Sequence, residues 1–171
     1  MRKIIFLIES SVTSICPDCG APLNYRDSCP RHMKLEGGEN SEYLIRRLKC
    51  THCKKLHREL PDCFVPYKHY AAEVISGVLD GIISIHDADT EDYPCEMTLS
   101  RWHRWLTINI DRIEGYLRSV GSQLPSYGEE LLKSGISLLQ KLRSLNPHWL
   151  EISLRFIYNS GGFLVVNPYD E

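Results

Sequence analysis

The longest regular pattern of hydrophobic residues lies in the second half of the chain, between residues 98 and 120. Hydrophobic side chains recur there every three or four positions, which is the spacing of one face of an α-helix. These residues are Leu99, Trp102, Leu106, Ile110, Ile113, Leu117 and Val120. Arg101, Arg104 and Arg112 fall on the opposite face. The pattern predicts a long amphipathic helix, with two helices in series as an alternative because residues 107–109 interrupt it weakly.

A shorter helical pattern precedes this segment. Residues 69–80 carry hydrophobic side chains at helical spacing, and Asp80-Gly81 provides the stop signal expected at a helix end. A further short helix is expected over residues 82–86. An acidic loop follows at residues 87–94, so the sequence predicts two helices joined by an acidic connection.

Helices are also predicted after residue 121. Ser126 and Glu129 match a capping box, in which the two side chains satisfy the first backbone N–H groups of a helix. That helix is expected to run to about residue 145. The Asn146-Pro147 pair then begins a last helix, and a short strand is expected at residues 163–166.

The first 65 residues lack helical spacing and indicate strands and turns. The apolar run at residues 4–8 is shorter than the ~7 residues of a signal-peptide core, so it predicts a strand. Residues 32–36 and 43–49 are expected to form two further strands separated by Gly37-Gly38. The predicted fold class is therefore α+β, with a β module over residues 1–65 packed on a helical domain over residues 66–171.

Two pairs of cysteines carry the strongest chemical signal in the chain. Cys16 and Cys19 flank two residues, and Cys50 and Cys53 repeat that spacing. Each pair can direct two thiolates from a tight turn to one point, and four thiolates complete a tetrahedral Zn²⁺ site. Because no coordination position stays open for water, the expected zinc ion is structural, and residues 16–65 are predicted to form a zinc ribbon.

Other cysteines and histidines lie near these pairs in the sequence. Cys29 and His32 form a further Cys-x-x-His pair, and His52 and His57 are close by. They could replace a thiol or build a second metal site, but a second site needs two more ligands. We therefore expect a loop cysteine and solvated histidines. The last two cysteines of the chain, Cys63 and Cys95, are expected to pack in the interior.

Composition and charge restrict the class of protein. The 171-residue chain is 43% hydrophobic and 25% charged, as globular proteins are, and its net charge is −2. Seven cysteines, with four in metal-type pairs, favour a reducing compartment over a disulfide framework. No apolar run approaches the ~20 residues that a membrane helix needs. The sequence predicts a soluble cytoplasmic protein with no membrane segment.

Basic residues cluster around the second cysteine pair. Positive charge on a metal-stabilised scaffold can neutralise DNA phosphates. The candidates are Arg46, Arg47, Lys49, Lys54 and Lys55. Arg46 and Arg47 point to opposite sides of a strand, so only one of them shares a face with Lys49. The alternative is an ordinary solvated surface.

Residues 67–120 resemble a helix-turn-helix in their element order. A recognition helix needs a buried apolar face and polar or basic groups near its N-terminus. Thr98, Ser100, Arg101 and Arg104 provide such groups and are the candidates for contacts with bases. An ordinary bundle helix with solvated arginines is the alternative, and the acidic loop at residues 87–94 would repel phosphates if it lay on the same side.

Several segments together resemble a bacterial family of small uncharacterised proteins. The segments are 16–20 (CPDCG), 44–53 (LIRRLKCTHC), 56–62 (LHRELPD), 65–70 (VPYKHY) and 98–102 (TLSRW). That family combines a zinc ribbon with a helix-turn-helix-like segment, and it is similar to the N-terminal DNA-binding parts of insertion-sequence transposases. The resemblance covers about residues 14–120. The chain departs from the family at Lys54, where glycine is usual, and at Cys95, where serine is.

The resemblance implies a DNA-binding role in a mobile element or its regulation, carried by the four cysteines and the helix at residues 98–104. Double-stranded DNA is the expected partner and Zn²⁺ the expected cofactor. The alternative is a protein-interaction adaptor for a transposase or recombinase. A metal-dependent nuclease ranks below both, because no catalytic constellation is present and no transposase catalytic domain follows. We therefore predict that the protein is not an enzyme.

Overall fold

Four strands and four helices form the part of the chain that the computed structural model describes, which comprises residues 5–7, 13–84, 94–121 and 135–166. The strands are β1 (Ile5–Leu7), β2 (Leu23–Lys34), β3 (Asn40–Cys50) and β4 (Leu56–Arg58). The helices are α1 (Ala72–Leu79), α2 (Glu96–Gly121), α3 (Leu138–Leu145) and α4 (Trp149–Asn159). The predicted α+β class is confirmed at this level of a mixed sheet and helices.

The sheet is organised around the long hairpin of β2 and β3. The two strands pair antiparallel from Leu23 opposite Cys50 to Lys34 opposite Asn40. Gly37 and Gly38 both adopt positive φ in the connecting turn, a conformation that glycine takes without steric cost. The strand predicted over residues 43–49 lies within β3, whereas the one predicted over residues 32–36 overlaps β2 only at residues 32–34. Both hairpin arms are longer than predicted, at 12 and 11 residues.

The other edge of β3 is shared by two short strands. β1 pairs parallel with residues 42–44, and β4 pairs antiparallel with residues 47–49. The strand predicted from the N-terminal apolar run is therefore present at Ile5–Leu7. Since β4 follows directly after the second cysteine pair, its pairing folds the chain back alongside the end of β3.

Helix α1 confirms the first helical pattern and is almost entirely buried. Seven of its eight residues are buried, from Ala72 to Leu79 with the exception of Glu73. The helix ends at Asp80, and Gly81 follows with a φ of 73°. The short helix predicted over residues 82–86 is not formed at residues 82–84, and its remainder lies outside the described residues.

Helix α2 runs without a break from Glu96 to Gly121, so the alternative of two helices in series is wrong. Its hydrophobic stripe is buried as predicted at Leu99, Trp102 and Ile113. The predicted burial is not observed at Ile110, which is 39% exposed, whereas its polar neighbour Asn109 is fully buried. Asn109 takes the inward position because its side chain binds the backbone of the C-terminal segment.

The C-terminal segment at residues 163–166 is irregular instead of the strand we predicted. The Asn109 side-chain amide donates to the carbonyl oxygens of Trp105 and Val165, at 2.8 and 3.0 Å. The Val165 N–H in turn donates to Asn109 Oδ1 at 2.8 Å. The Asn109 side chain of α2 therefore forms the backbone hydrogen bonds with Val165 that a neighbouring strand would otherwise form.

Helices α3 and α4 form a pair joined by a short turn. α3 begins after Ser137, whose hydroxyl accepts a hydrogen bond from the Gln140 N–H, and it ends at residue 145 as predicted. The predicted capping box at Ser126 and Glu129 lies outside the described residues. The last helix begins after Asn146-Pro147, as the sequence predicted, and spans Trp149–Asn159.

One buried cluster joins the sheet to the helices. Met33 and Ile45 of the hairpin belong to the same cluster as Trp102, Ile113 and Trp149 of the helices. The division of the chain at residue 65 stays a prediction. None of the helices in the described residues combines the length and apolar character needed to cross a membrane.

Candidate metal centre

The four cysteines of the two predicted pairs converge at one end of the hairpin. The Sγ atoms of Cys16 and Cys53 lie 3.6 Å apart, and those of Cys19 and Cys50 lie 3.5 Å apart. All four sulfur atoms are within 4.8 Å of one another. A metal with bonds to sulfur of about 2.3 Å requires tetrahedral sulfur separations of about 3.8 Å. The spacing therefore fits one metal ion bound by four thiolates.

The two cysteine turns have the same backbone construction. The N–H of Cys16 donates to the carbonyl oxygen of Ala21, and the N–H of Cys50 donates in the same way to that of Lys55. The residue after the second cysteine has positive φ in both turns, 72° at Gly20 and 62° at Lys54. The turns are therefore equivalent, although only one carries the glycine that this conformation favours.

The sheet and the last helix hold the turns in place. Cys50 is the last residue of β3, and the Thr51 N–H after it donates to the carbonyl oxygen of Pro22, which joins the second turn to the start of β2. On the other side, Pro17 packs against Gly161, where an added Cβ would lie 2.8 Å from the Pro17 oxygen. The metal centre is thus anchored both to the hairpin and to the end of α4.

Exposure differs strongly among the four cysteines. Cys16 and Cys50 are each only 1% exposed, Cys53 is half-buried, and Cys19 is exposed. The buried sulfur of Cys50 accepts a hydrogen bond from the His52 N–H at 3.4 Å. Cys19 is therefore the most accessible thiol of the cluster, while those of Cys16 and Cys50 are protected from solvent.

The thiols of Cys50 and Cys53 influence each other's ionisation in opposite directions. Burial opposes ionisation of Cys50, but the N–H groups of His52 and Cys53 together with neighbouring thiols lower its pKa to about 6. The Lys55 N–H favours the Cys53 thiolate, but burial and the neighbouring thiols raise the Cys53 pKa to about 12. A bound cation would remove this opposition, because metal coordination deprotonates thiols.

His57 lies beside the cluster and is not the solvated histidine that we predicted. Its side chain is only 19% exposed, and its Nε2 atom is 3.4 Å from Cys16 Sγ and 3.8 Å from an Asp18 carboxylate oxygen. These residues form a second group of possible ligands, namely Cys16, Asp18, Cys53 and His57. The pairing of β4 with β3 brings His57 to this position. In the sequence, the Cys53-x-x-x-His57 spacing alone indicates, and only weakly, that His57 could be a ligand.

The other sequence candidates do not join a second site. Cys29 and His32 stand three residues apart in β2, so their side chains point to opposite faces of the sheet. Cys29 packs against the buried cluster, while His32 is exposed and lies 3.8 Å from a Glu42 carboxylate oxygen. His52 is exposed in the second cysteine turn.

Three of the five basic candidates near the cysteines form ion pairs. Arg46 contacts Glu59 at 2.6 Å, and Arg47 binds Asp27 through two hydrogen bonds. The third pair joins Lys55 and Asp18 at 3.3 Å. Lys49 and Lys54 are exposed, and the Lys54 ammonium donates to the Thr51 carbonyl oxygen. The local excess of positive charge is therefore smaller than the sequence indicates.

The first turns of α2 carry the candidates for contacts with bases. Ser100 and Arg104 are exposed and Thr98 and Arg101 are half-buried. Between them, Leu99, Trp102 and Trp105 are buried against the rest of the protein. The polar and basic groups thus share the outer side of the helix near its start, as predicted.

Cys95 precedes α2 and is exposed, so the prediction that it packs in the interior is wrong. Its Sγ lies 3.4 Å from the Thr98 hydroxyl, where a capping serine would place its oxygen. The Thr98 hydroxyl and backbone N–H hold the pKa of the Cys95 thiol below its usual value. Cys63, by contrast, packs against the buried cluster as predicted, and burial raises its pKa.

Residues 16–102 match the family model of DUF6431, a domain of unknown function. The match covers about half of the chain. The protein belongs to the DUF6431 family. Within this DUF6431 segment lie all four cysteines of the cluster, Asp18 and His57, the whole hairpin, α1 and the first turns of α2. No curated protein and no solved structure matches the chain.

Proposed function

We propose that this DUF6431 protein is a DNA-binding protein stabilised by one structural zinc ion. The observation that carries the metal assignment is the convergence of four cysteine sulfurs at tetrahedral spacing. Zinc suits a set of four thiolates, which also leaves no open position for a reacting water. The ion therefore holds the two cysteine turns together and takes no part in catalysis.

The surrounding elements support a zinc ribbon followed by a helix-turn-helix-like pair. Two equivalent cysteine turns stand at the end of an antiparallel hairpin, which is how a ribbon presents its ligands. Helices α1 and α2 follow in order, with α1 buried and the start of α2 presenting polar groups. In this arrangement α2 is the recognition helix.

The proposed DNA surface combines the start of α2 with the exposed lysines near the cysteine turns. Ser100, Arg101 and Arg104 approach base edges, with Thr98 beside them, whereas Lys49 and Lys54 contact phosphates. Arg46, Arg47 and Lys55 contribute less, because nearby carboxylates already neutralise them. The association with a mobile element or its regulation rests on the sequence resemblance alone.

The first test concerns the metal assignment and uses protein that has been purified without a chelator. Elemental analysis should find one zinc ion per chain. Removal of zinc should loosen the cysteine turns but leave much of the helical circular dichroism, because the buried cluster of the helices contains none of the four cysteines. Protein without any bound transition metal would refute the proposal.

DNA binding is tested by fluorescence anisotropy with a pool of random duplexes and with sites selected from it. Replacement Arg101→Ala should weaken binding to a selected site by about 1–3 kcal/mol and relax its specificity. Arg112→Ala is the matched control, since Arg112 is an exposed arginine of the same helix three turns further on. Equal binding by both variants and the wild type would remove α2 from the DNA surface.

A second candidate function, a protein-interaction adaptor, is favoured by the ion pairs of Arg46, Arg47 and Lys55 with carboxylates. Those pairs reduce the positive charge that the ribbon can offer to phosphates. A transposase or recombinase captured with this protein after nuclease treatment would support the adaptor. DNA binding that weakens steeply between low and physiological salt would support the first proposal instead.

A further inference from the structure

Two groups of possible metal ligands overlap at the cysteine cluster. The first group consists of the four cysteines, and the second of Cys16, Asp18, Cys53 and His57. Cys16 and Cys53 belong to both. We propose that the second group keeps the metal bound when Cys19 and Cys50 are oxidised to a disulfide. This inference rests on the proposed metal occupancy and not on DNA binding.

The second group has suitable chemistry for the same ion. It offers two thiolates, one imidazole nitrogen and one carboxylate oxygen, all of which zinc accepts as ligands. His57 Nε2 is 3.4 Å from Cys16 Sγ and 3.8 Å from the Asp18 carboxylate. All four ligand atoms of the second group lie within 4.8 Å of one another, so both new ligands are already near the shared cysteines. The ion would move across the Cys16–Cys53 edge, where the two sulfurs are 3.6 Å apart.

The most exposed cysteine of the cluster belongs to the pair that the two groups do not share. Cys19 is exposed and Cys53 is half-buried. Cys16 and Cys50 are each 1% exposed. The Cys19 and Cys50 sulfurs are 3.5 Å apart, close enough for Cys50 to attack an oxidised Cys19. Oxidation that begins at Cys19 can therefore be completed by Cys50, and the second group uses neither of these cysteines.

The oxidant required is a hydroperoxide, and hydrogen peroxide is the simplest. The Cys19 thiolate attacks one peroxide oxygen, the O–O bond breaks, and a sulfenic acid and hydroxide form. The Cys50 thiolate then attacks the Cys19 sulfur, which forms the S–S bond and releases a second hydroxide. The two thiolates lose two electrons, the peroxide gains them, and the hydroxides take up protons to become water.

A protein with this arrangement responds to peroxide without losing its metal. A site of four cysteines alone would lose two ligands together and release the ion. Here the ion would pass to Asp18 and His57, so the first cysteine turn and β4 stay linked through the metal. The link from the end of β3 through Cys50 becomes a disulfide instead.

The first experiment treats the zinc-loaded protein with hydrogen peroxide and removes unbound metal by gel filtration. Mass spectrometry should find a Cys19–Cys50 disulfide, and elemental analysis should still find one zinc per chain. The variant His57→Ala should bind one zinc when reduced and lose it after oxidation. His52→Ala is the matched control, because His52 is exposed and outside both groups, and it should retain zinc like the wild type.

A second experiment avoids the oxidant. The double variant Cys19→Ala/Cys50→Ala is loaded with Co²⁺, whose thiolate charge-transfer absorbance should fall to about half, since two of four thiolates remain. Addition of His57→Ala should abolish Co²⁺ binding in that background, and addition of His52→Ala should not. The outcome of this experiment does not depend on which pair of cysteines is oxidised by peroxide.

Three results would overturn the inference. Oxidised wild type could lose zinc as completely as His57→Ala, which would leave the metal assignment of the reduced protein intact. The disulfide could join a different pair of cysteines. The reduced protein could bind two metal ions, which would make the second group a simultaneous site. A different result, a reduced protein that binds no metal, would refute both this inference and the metal assignment in the proposed function.

Discussion

Gly20 and Lys54 occupy equivalent positions, each directly after the second cysteine of its turn, and both have left-handed backbone conformations with φ of 72° and 62°. Glycine adopts this region freely, whereas a residue with a Cβ is strained there. The chain thus keeps one strained residue in a pair of otherwise matching turns. The lysine ammonium that reaches the Thr51 carbonyl oxygen offsets part of that strain.

Exchanging the two residue types tests this relationship. Lys54→Gly should raise the free energy of unfolding of the metal-loaded protein by up to about 1 kcal/mol, because the strain disappears. Gly20→Ala should lower it by about 1 kcal/mol through the backbone alone, since an added Cβ at Gly20 meets no atom within 4 Å. Urea unfolding of both variants measures the changes, and a stabilising Gly20→Ala would contradict the interpretation.

The contact between Gly161 and the first cysteine turn predicts a larger effect. Gly161 has a φ of 78°, and an added Cβ would lie 2.8 Å from the Pro17 oxygen. Gly161→Ala should therefore destabilise the protein by about 2–3 kcal/mol, from backbone strain and overpacking together. The turn that carries Cys16 should also exchange its amide hydrogens faster.

Gly115→Ala is the control for this measurement. Gly115 is an exposed position in α2, and an added Cβ there meets no atom within 4 Å. Alanine should stabilise the helix at this position by about 0.5–1 kcal/mol. If Gly161→Ala behaves like Gly115→Ala, the packing of the cysteine turn on the end of α4 is not as the structure describes.

The buried Asn109 predicts a third effect. Asn109→Leu keeps the number and branching of the side-chain heavy atoms but leaves the N–H and carbonyl of Val165 without the bonds that Asn109 provides. The expected loss is about 1–3 kcal/mol, the range for unsatisfied buried polar groups. Thermal unfolding measures it, and Ile108→Leu at the exposed neighbouring position should change stability little. A stable Asn109→Leu protein with unchanged amide exchange at Val165 would contradict this role.

Cys95 and Cys63 should differ in their reaction with iodoacetamide. The pKa of the exposed Cys95 lies below its usual value, so more of its thiol is ionised near neutral pH. Burial raises the pKa of Cys63, so less of it is ionised. In the zinc-loaded protein at pH 7, Cys95 should be alkylated at least about tenfold faster, as the thiolate is the nucleophile.

The pH dependence and one variant check this prediction by mass spectrometry. A rise from pH 7 to pH 9 should accelerate alkylation of Cys63 more than that of Cys95, because a raised pKa leaves more of the thiol still to ionise. Thr98→Val removes the hydroxyl beside Cys95 and should slow its alkylation at pH 7. Equal rates at both cysteines in the wild type would contradict the predicted difference in ionisation. An unchanged Cys95 rate in Thr98→Val would show that the Thr98 contact has no effect on reactivity.

The parts of this molecule that local spacing determines could be predicted from the sequence. The spacing within each cysteine pair determines a tight turn, so the four thiols could be assigned to one cluster from the sequence alone. The helical repeat of α2 is long enough to outweigh its polar interruption. The two glycines at the hairpin tip likewise marked the turn between β2 and β3.

Contacts between distant segments account for what the sequence could not show. Asn109 is buried because Val165, 56 residues away, requires hydrogen-bond partners. Ile110 is correspondingly exposed, although its spacing fits the stripe. His57 approaches Cys16 only because β4 pairs with β3. The ion pair of Arg47 with Asp27 depends on strand register, so the sequence overstated the positive charge of the sheet.

The DUF6431 match ends at residue 102, but residues beyond it form hydrogen bonds with the C-terminal end of α1. Asp80, at the end of α1, accepts a hydrogen bond from the Trp149 indole at 2.8 Å and is bound by Arg143. Trp149 itself is fully buried. A recombinant fragment limited to the family segment would uncover the apolar surface of α1, so it should aggregate or require a companion polypeptide to remain folded.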